Sequence, residues 1–541
     1  MLNAKTYIYV FIISMGLFLP FLGMVNLFDW DEVNFAECAR EMLSRGDYSQ
    51  VMIDYIPFWE KPPLFIWMQT ISMKFFGISS FAARLPNVFA AFFTFSFIIY
   101  MGEKLKNRSF GILWASIFCG SFLPNIYFHS GIIDPWFNLF ITSGIYFGYQ
   151  AFKTNTILPY ALSGILIGLS IITKGPVGLL LFGAPTLLFL IFNRKEFQFS
   201  SLGLTAFFTG LIITGGSWFL LLISQGKVTV IYDFILYQIR LFNSEDAGHG
   251  GPFYYHVVVL CVGCFPASFF AIRNLTFKNK HSFQFLMMLT LMITLVLFSI
   301  VQTKIIHYSS LCYFPLTYLA AKHLSKQLIN SKQGLKMSAR IVIISLIAYA
   351  ILLLCFAWVL NHPSNIVKYL NLDQFTKDTL NQVINSDLLF YLPAFLVLGS
   401  SIVLMYCYKK KKHKQVVYAS FLTVALSILS ASFMVERVEQ YTQGGHVSLC
   451  KEFENQNVII HPIGFKSFVP LYFGKQQNSI IKNDGTLLEE YFLANQDHLS
   501  LPIYFTSKSY KKQEVLSLYP KIELVKEQGG FALYRRKKEF N

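Results

Sequence analysis

The chain has 541 residues, 54% of them hydrophobic and 17% aromatic, and only 14% are charged, against about a quarter in a soluble protein. That composition excludes an ordinary soluble enzyme and makes the bilayer the solvent. The formal net charge of +16 would suggest nucleic acid in a soluble chain, but here the basic clusters sit in short loops between apolar runs: Lys104/Lys106/Arg108, Arg194/Lys195, Arg273/Lys278/Lys280, Lys322 through Arg340, and Lys409 to Lys414. Cytoplasmic loops of membrane proteins carry this excess, so no nucleic-acid partner is expected.

Runs long enough to cross roughly 30 Å of hydrocarbon fall near 7–27, 82–101, 110–128, 135–152, 157–173, 176–192, 201–223, 253–272, 283–301, 306–322, 341–360, 387–407 and 415–433. The first reads as a retained span and not a signal peptide, because it is long and no small-x-small cleavage site follows. With the N-terminus inside, all five basic clusters fall on the cytoplasmic side. Phe35, Cys38, Ala39, Met42 and Leu43 recur at helical spacing opposite Glu37, Arg40, Glu41 and Ser44, which predicts a helix lying on the membrane surface. Leu64 to Phe76 is apolar but short, and it begins after Pro62-Pro63. If it crossed, every later basic loop would change sides, so it reads as a second interfacial helix on the outer face. Of eight scattered cysteines, Cys261-x-x-Cys264 lies mid-span, where the pair shares a helix face and packing explains it; Cys38 and Cys450 share the outer compartment, too little to argue a disulfide.

An odd number of spans leaves the C-terminus outside, and from about Val435 the composition becomes that of a small soluble domain. Val458 to Ile460 and Ile503 to Phe505 read as buried strands, Leu487 to Asn495 as a helix, and Ile522 to Val525 with Phe531 to Tyr534 as a hairpin turning through Gly529-Gly530. The expected fold is a polytopic all-α membrane protein of about 13 spans over residues 1–434, with interfacial helices in an outer loop at 28–81, followed by an outer α/β domain at 435–541.

With this topology Asp31, Glu32, Glu60, Lys61, Asp134, Lys174, Arg240, His249, Lys304 and His307 all fall in outer loops or at outer span ends. Each has an ordinary explanation alone. Asp134-Pro135 can cap and open a helix, and Lys174-Gly175-Pro176 can close one and open the next. Asp31-Glu32 can cap the surface helix, Glu60-Lys61 can be a local ion pair, His249-Gly-Gly-Pro252 can be loop chemistry, and Lys304 and His307 can flank the interface. Together they put four cations on the side where cations are scarce. Group transfer from a lipid phosphate unites them. Lys61, Lys174, Arg240 and Lys304 would hold the phosphate of the leaving group, while Asp31 or Asp134 takes a proton from an acceptor hydroxyl. Neither a glycine-rich dinucleotide turn nor a Walker loop is found, which agrees with a lipid-borne donor.

Asp31-Glu32, the Ala36-Glu-Cys-Ala-Arg-Glu-Met42 helix, Gly46-Asp47, Glu60-Lys-Pro-Pro63 and Phe81-Ala-Ala-Arg-Leu-Pro86 resemble the GT-C glycosyltransferases. The likeness is to the protein O-mannosyltransferase superfamily and its bacterial branch, the lipid A 4-amino-4-deoxy-L-arabinose transferases. Asp134-Pro135, Thr173-Lys-Gly-Pro176 and Lys304-x-x-His-Tyr308 resemble that branch in the same order, and the resemblance covers about residues 5–325. It implies a GT-C fold in a bacterial inner membrane, an active site and C-terminal domain on the periplasmic face, and an inverting reaction. By the resemblance, Asp31, with Glu32 beside it, and Asp134 are the catalytic acids. Lys61, Lys174, Arg240, Lys304 and Tyr308 attend the donor phosphate, His249 and His307 lie toward the acceptor, and Glu60 is a carboxylate associated with a divalent metal. Partners are a polyprenyl-phosphate-linked sugar and a lipid A, glycan or protein acceptor. The aminoarabinose branch has Glu-His ahead of its arginine, where this chain has Tyr237-Gln238, and Ala247-Gly-His-Gly-Gly251 also differs, both on the expected acceptor side. The rival enzyme is a Ser/Thr protein O-glycosyltransferase using the same donor. A lipid-linked sugar transporter would need ionisable residues at mid-membrane and two similar halves, and the sequence shows neither.

Overall fold

The computed structural model describes residues 4–537 apart from 197–198, 244–249, 278–279, 331, 383–384, 455 and 476–501. The expected helix at 487–495 and His249 lie outside these described residues.

Helix α1 (Ala4–Phe18) runs into an irregular stretch that ends at Trp30, where α2 (Asp31–Arg45) begins. Helix α2 closes at Gly46, whose φ of 68° supplies a left-handed cap and whose N–H bonds Met42 O. A short hairpin of β1 (Met52–Ile53) and β2 (Ile56–Pro57) precedes α3 (Leu64–Phe76), which spans the residues expected of the short helix. The bundle continues with α4 (Ser80–Leu105), α5 (Arg108–Cys119), α6 (Phe122–Ile126), α7 (Asp134–Thr154), α8 (Ile157–Lys174), α9 (Val177–Phe192), α10 (Ser201–Ser224) and α11 (Val228–Asn243). Its second half holds α12 (Tyr255–Gly263), α13 (Ala267–Ile272), α14 (Phe283–Ile300), α15 (Tyr313–Asn330), α16 (Lys332–Asn361), α17 (Pro363–Tyr369), α18 (Gln374–Leu380), α19 (Leu392–Lys409) and α20 (His413–Ser430).

Among the described residues, seven helices are long and apolar enough to cross a bilayer singly, or eight if α5 and the helical segment after it, bent by 87°, form one span. The apolar runs fall mainly on helices, but the first leaves its helix after Phe18 and others are interrupted: α12 and α13 share one run, and a 3₁₀ turn (Ile306–Cys312) precedes α15 in another. One apolar run is therefore not one straight span. Helix α11 occupies a stretch the pattern leaves as loop; it buries Val230, Phe234 and Tyr237 and exposes Tyr232, Ile235, Leu236 and Ile239. Helices α8 and α10 approach most closely where Gly164 and Gly168 meet Phe207, Thr214 and Gly215. A Cβ on Gly168 would lie 1.9 Å from Thr214 Oγ1, so only glycine permits this crossing.

Past α20 the chain stays helical through α21 (Ser432–Glu439), a five-residue π turn (Gln440–Gly444) and α22 (Gly445–Lys451). The boundary expected near 435 thus falls inside a continuous helical run. A mixed sheet follows, ordered β3 (Ile459–Pro462), β4 (Ile503–Lys508), β6 (Phe531–Arg536), β5 (Ile522–Gln528), with β3 parallel to β4 and the other pairs antiparallel. The hairpin turns through Gly529 and Gly530, at φ 56° and 83°, the backbone a tight two-residue turn requires. Helix α23 (Val469–Phe473) lies between β3 and β4, and α24 (Lys512–Leu518) between β4 and β5.

The sheet domain changes the reading of α2. A membrane-surface helix would leave Glu37, Arg40 and Glu41 in water, yet all three are buried. The apolar face of α2 packs on Ile66 and Met73 of α3 and on Ala82 and Ala83 of α4, and the same cluster takes in Val447, Leu449, Tyr472, Phe473, Phe531 and Leu533 of the sheet domain. Cys38 and Cys450 are free thiols in this shared core. Arg40 forks onto Glu37 at 2.6 and 2.7 Å, and Glu41 accepts the Tyr55 N–H at 2.9 Å. Glu37 and Glu41 both act on the Arg40 guanidinium, and Asp54 lies within the field of Glu37. Burial, then the Glu37 charge, pushes the Glu41 carboxyl well up, and the same two causes lift Asp54 to about 7.

A carboxyl whose folded pKa is raised binds a proton that the unfolded chain has released, so its contribution to stability falls as pH rises from about 4 to about 7. The thermal unfolding midpoint is therefore expected to rise as pH is lowered from 8 to 5.5. Glu41→Gln with Asp54→Asn should flatten that slope in differential scanning fluorimetry.

Candidate active site

Three chain segments bring opposite charges together at one end of the bundle. The irregular stretch after α1 delivers Asp31 at the first turn of α2. Asp134 opens α7 ahead of Pro135, and Lys174 closes α8 ahead of Gly175, which turns the chain at φ 96°. The capping explanation for Asp134 does not hold, since its carboxylate makes no cap bond and instead accepts from Lys174 Nζ at 2.6 Å. His307, on the 3₁₀ turn before α15, joins the two acids: its Nε2 is 3.0 Å from Asp31 Oδ2 and 3.7 Å from Asp134 Oδ2. Asp134 is 2% exposed, whereas the Asp31 side chain keeps about a third of its surface open. Burial pushes the Asp31 carboxyl up, but the His307 hydrogen bond and the charges of His307, Lys61 and Lys174 together hold it at about 2. Asp31 is thus an anion at any physiological pH, within reach of an incoming molecule.

Beside Lys174 a cavity of about 260 Å³ runs between α7, α9, α11 and α14. Its polar end carries Lys61, Lys174, Gln238, Thr303 and Tyr308, and its walls are Phe137, Pro176, Val177, Leu180, Leu297, Phe298 and Val301. The Lys174 ammonium lies 5.0 Å from the Tyr308 ring centre and 5.5 Å from that of Phe137. Tyr237 of α11 stands between two further cations, with Lys61 Nζ 5.8 Å and the Arg240 guanidinium carbon 5.4 Å from its ring centre. Gln238 donates to the Glu60 carbonyl at 3.3 Å and so ties α11 to the Glu60-Lys61 turn. Cations at the mouth and hydrocarbon behind suit an amphiphile with an anionic head and an apolar tail. Tyr237 and Gln238, where this chain departs from the Glu-His of the aminoarabinose branch, therefore stand at this cation-rich mouth.

Two expected site residues turn elsewhere. Glu32 faces away from the cluster. Its oxygens take Arg84 at 2.7 and 2.8 Å, and they also accept from Phe28 N–H at 2.9 Å and from Gly131 N–H. Arg84 in turn donates to the carbonyls of Leu22, Val25 and Asn26 at 3.1, 2.7 and 3.0 Å. With every oxygen engaged and 5% of its surface exposed, Glu32 is an architectural residue. Lys304 is buried and donates to the carbonyls of Phe298 at 3.0 Å, Ser299 at 2.7 Å and Val301, so it caps the C-terminus of α14. Arg84 stands in the Phe81–Pro86 motif of the sequence reading, which gave it no role; a lone arginine inside an apolar helix is costly enough to have marked it. Glu60 does not fit a metal: among the described residues no group of three His, Cys, Asp or Glu is arranged to hold one, so no step is routed through such an ion.

The Dolichyl-phosphate-mannose-protein mannosyltransferase family model matches residues 60–218. An undecaprenyl phosphate-alpha-4-amino-4-deoxy-L-arabinose arabinosyl transferase of Photorhabdus laumondii is 26% identical over 313 residues, 56% of each chain. The Shewanella sediminis protein of the same name is 25% identical over 499 residues, 91% of this chain and 83% of that one. The matched stretch thus spans little more than half of the first relative's length. Among solved structures, ArnT from Cupriavidus metallidurans bound to undecaprenyl phosphate is similar with a TM-score of 0.74 at 15% identity, covering 99% of both chains. That likeness establishes the fold: a polytopic, mainly helical membrane protein with a small C-terminal sheet.

Arg84→Met strands Glu32 as a buried unpaired charge and is expected to cost about 3–5 kcal/mol, seen as a fall in the thermal midpoint of the detergent-purified protein. Lys304→Met should lower that midpoint too, while leaving binding of a polyprenyl phosphate within about twofold of the parent; calorimetry with undecaprenyl phosphate separates a cap from a phosphate ligand.

Proposed function

We propose that the protein is an inverting glycosyltransferase of the bacterial inner membrane. It moves a sugar from a polyprenyl-phosphate carrier to an acceptor at the periplasmic face, and the acceptor is lipid A or a related surface glycolipid. One observation carries this reading: the paired acids Asp31 and Asp134, joined through His307, meet the cation-rich mouth of an apolar cavity through Lys174. The names of the relatives, which specify undecaprenyl phosphate and 4-amino-4-deoxy-L-arabinose, support the same donor class. The positive loops support a cytoplasmic N-terminus and a periplasmic C-terminal domain.

The carrier's isoprenoid tail lies along Phe137, Val177, Leu180 and Phe298, and its phosphate meets Lys61, Lys174 and Tyr308, with Arg240 at the rim. The acceptor oxygen attacks the anomeric carbon from the face opposite the phosphate. As the new C–O bond forms, the bond to the phosphate oxygen breaks and the electron pair leaves with the carrier phosphate. Lys61 and Lys174 offset that growing charge in a site sheltered from water, where fixed cations act most strongly. If the acceptor is a hydroxyl, its proton passes to Asp31, which is ionised and partly open; if it is a phosphate oxygen, no proton need move and Asp31 acts by holding His307, whose imidazole meets the incoming anion. Asp134, closed in by Lys174, sets the position of that lysine and of His307. The family model's name keeps a protein acceptor as the second reading.

Purified protein supplied with undecaprenyl-phosphate aminoarabinose and lipid A should yield lipid A heavier by one sugar residue in mass spectrometry. Asp31→Asn is expected to lower kcat by at least about a hundredfold, and Lys61→Met to raise the donor KM about tenfold or more. Full activity of Asp31→Asn with its true acceptor would refute the role given to that acid, and labelling of a protein instead of lipid A would move the acceptor to the second reading.

A further inference from the structure

A second cavity, of about 640 Å³, lies between α1, α4, α5 and α20, at the end of the bundle away from the paired acids. Arg84, in the first turns of α4, holds Glu32 beside those acids, whereas Arg108 follows the far end of α4 and lines this cavity. On α5 the lining is Arg108, Ile112, Ala115, Ser116 and Cys119, steps of three and four that keep to one helix face. The lining of α1 runs in the same way from Thr6 to Leu17, and that of α20 from Gln415 to Ala425.

All three stripes begin at the same end with a polar residue, Thr6, Arg108 or Gln415, and continue mainly with apolar ones. At the ~1.5 Å rise of a helix, the stripe from Arg108 to Cys119 is about 16 Å long, roughly half of the ~30 Å hydrocarbon core. It therefore covers one leaflet. The floor is buried at Val10, Phe95, Ala115 and Phe421, while Tyr9, Ile13, Ile112 and Leu422 stand exposed along the rims, so the groove opens sideways. Arg108 is the one charge among the described lining residues, and no carboxylate lies with it. Its Nη2 donates to Thr6 Oγ1, which pins the guanidinium at the mouth. Lys104 and Lys106 precede it, and Lys409 to Lys414 lead into Gln415, so the mouth lies on the side where basic loops gather.

We infer that this groove seats one anionic glycerophospholipid of the cytoplasmic leaflet, with an acyl chain along α5 and its phosphate diester on Arg108. A headgroup of hydroxyls, as in phosphatidylglycerol, meets the Gln415 amide. An ethanolamine headgroup brings an ammonium that finds no carboxylate in the lining and a cation already in place. The leaflet follows from loop charge and the occupant from the groove; neither needs the glycosyltransferase reading. A lipid held here braces α1 against α5 and α20, and α1 is the helix that leads toward Asp31.

The test strips the full chain of lipid in detergent, titrates it with phosphatidylglycerol or with phosphatidylethanolamine of the same acyl chains, and weighs the complexes by native mass spectrometry. One phosphatidylglycerol should be retained about tenfold more tightly than phosphatidylethanolamine. Arg108→Gln should bring the two lipids within about twofold of each other, and Arg108→Lys should keep most of the preference. Ala419→Trp, which fills the groove, should lose both lipids at an unchanged thermal midpoint; if the midpoint falls, the two Arg108 variants decide. Lys61→Met, at the cavity beside Lys174, should retain phosphatidylglycerol as the parent does. Equal retention of the two lipids by the parent overturns the proposal. So does loss of phosphatidylglycerol in Lys61→Met but not in Arg108→Gln, which places the lipid in the other cavity. A dimer that Ala419→Trp dissociates overturns it too, because the occupant is then a second copy of this chain.

Discussion

The Glu32–Arg84 pair is the interaction on which the site depends. Arg84 projects from an apolar helix with 4% of its surface exposed, and Glu32 is the group that neutralises it. Arg84 also gathers three carbonyls of the stretch after α1, and the two Glu32 oxygens that bind it each accept a second bond, from Phe28 and from Gly131. One ion pair thus fixes the relative places of α2, α4, the entry to α2 and the segment that leads into α7. Asp31 lies one residue before Glu32, and Asp134 three residues after Gly131. Their separation is set by this joint, and only then does His307 bridge them.

Cations of the same kind play unlike parts because of what lies within reach of each. Lys174 finds a carboxylate at 2.6 Å and a cavity beside it, whereas Lys304 finds the open carbonyls of a helix end and is used up by them. Lys61 and Arg240 share the Tyr237 ring, which holds two positive charges near each other. Gln238, on the same helix turn as Tyr237, ties that ring to the Glu60-Lys61 turn.

Much of this was legible in the sequence, for reasons that can be stated. Leu64–Phe76 and the strands of the sheet domain were readable because periodicity and turn chemistry are local. The meeting of Asp31, Asp134, Lys174 and His307 was readable in outline because charge at one face of a membrane protein is expensive. The individual roles were not. Glu32 and Asp31 are neighbours in sequence, and only Arg84, 52 positions away, separates their functions. The polar side of α2 has the spacing of a solvated helix, and nothing within the helix reports that a domain from the other end of the chain covers it. Helix α11 was passed over because it is broken from the spans around it and carries Asp233, Gln238 and Arg240 within an apolar pattern.

The shared core under the sheet domain also governs the order in which the protein can be built. Glu41 leaves the ribosome early, but Phe531, which closes the core over α2, follows 490 residues later. At roughly 5–20 residues per second that interval is roughly 25–100 s. Throughout it the membrane helices can insert and pair, while the polar face of α2 has no protein cover. The segment that carries Asp31 is thus among the first translated and among the last to reach its final surroundings, so a nascent chain halted anywhere before the final hairpin is a bundle without a finished site.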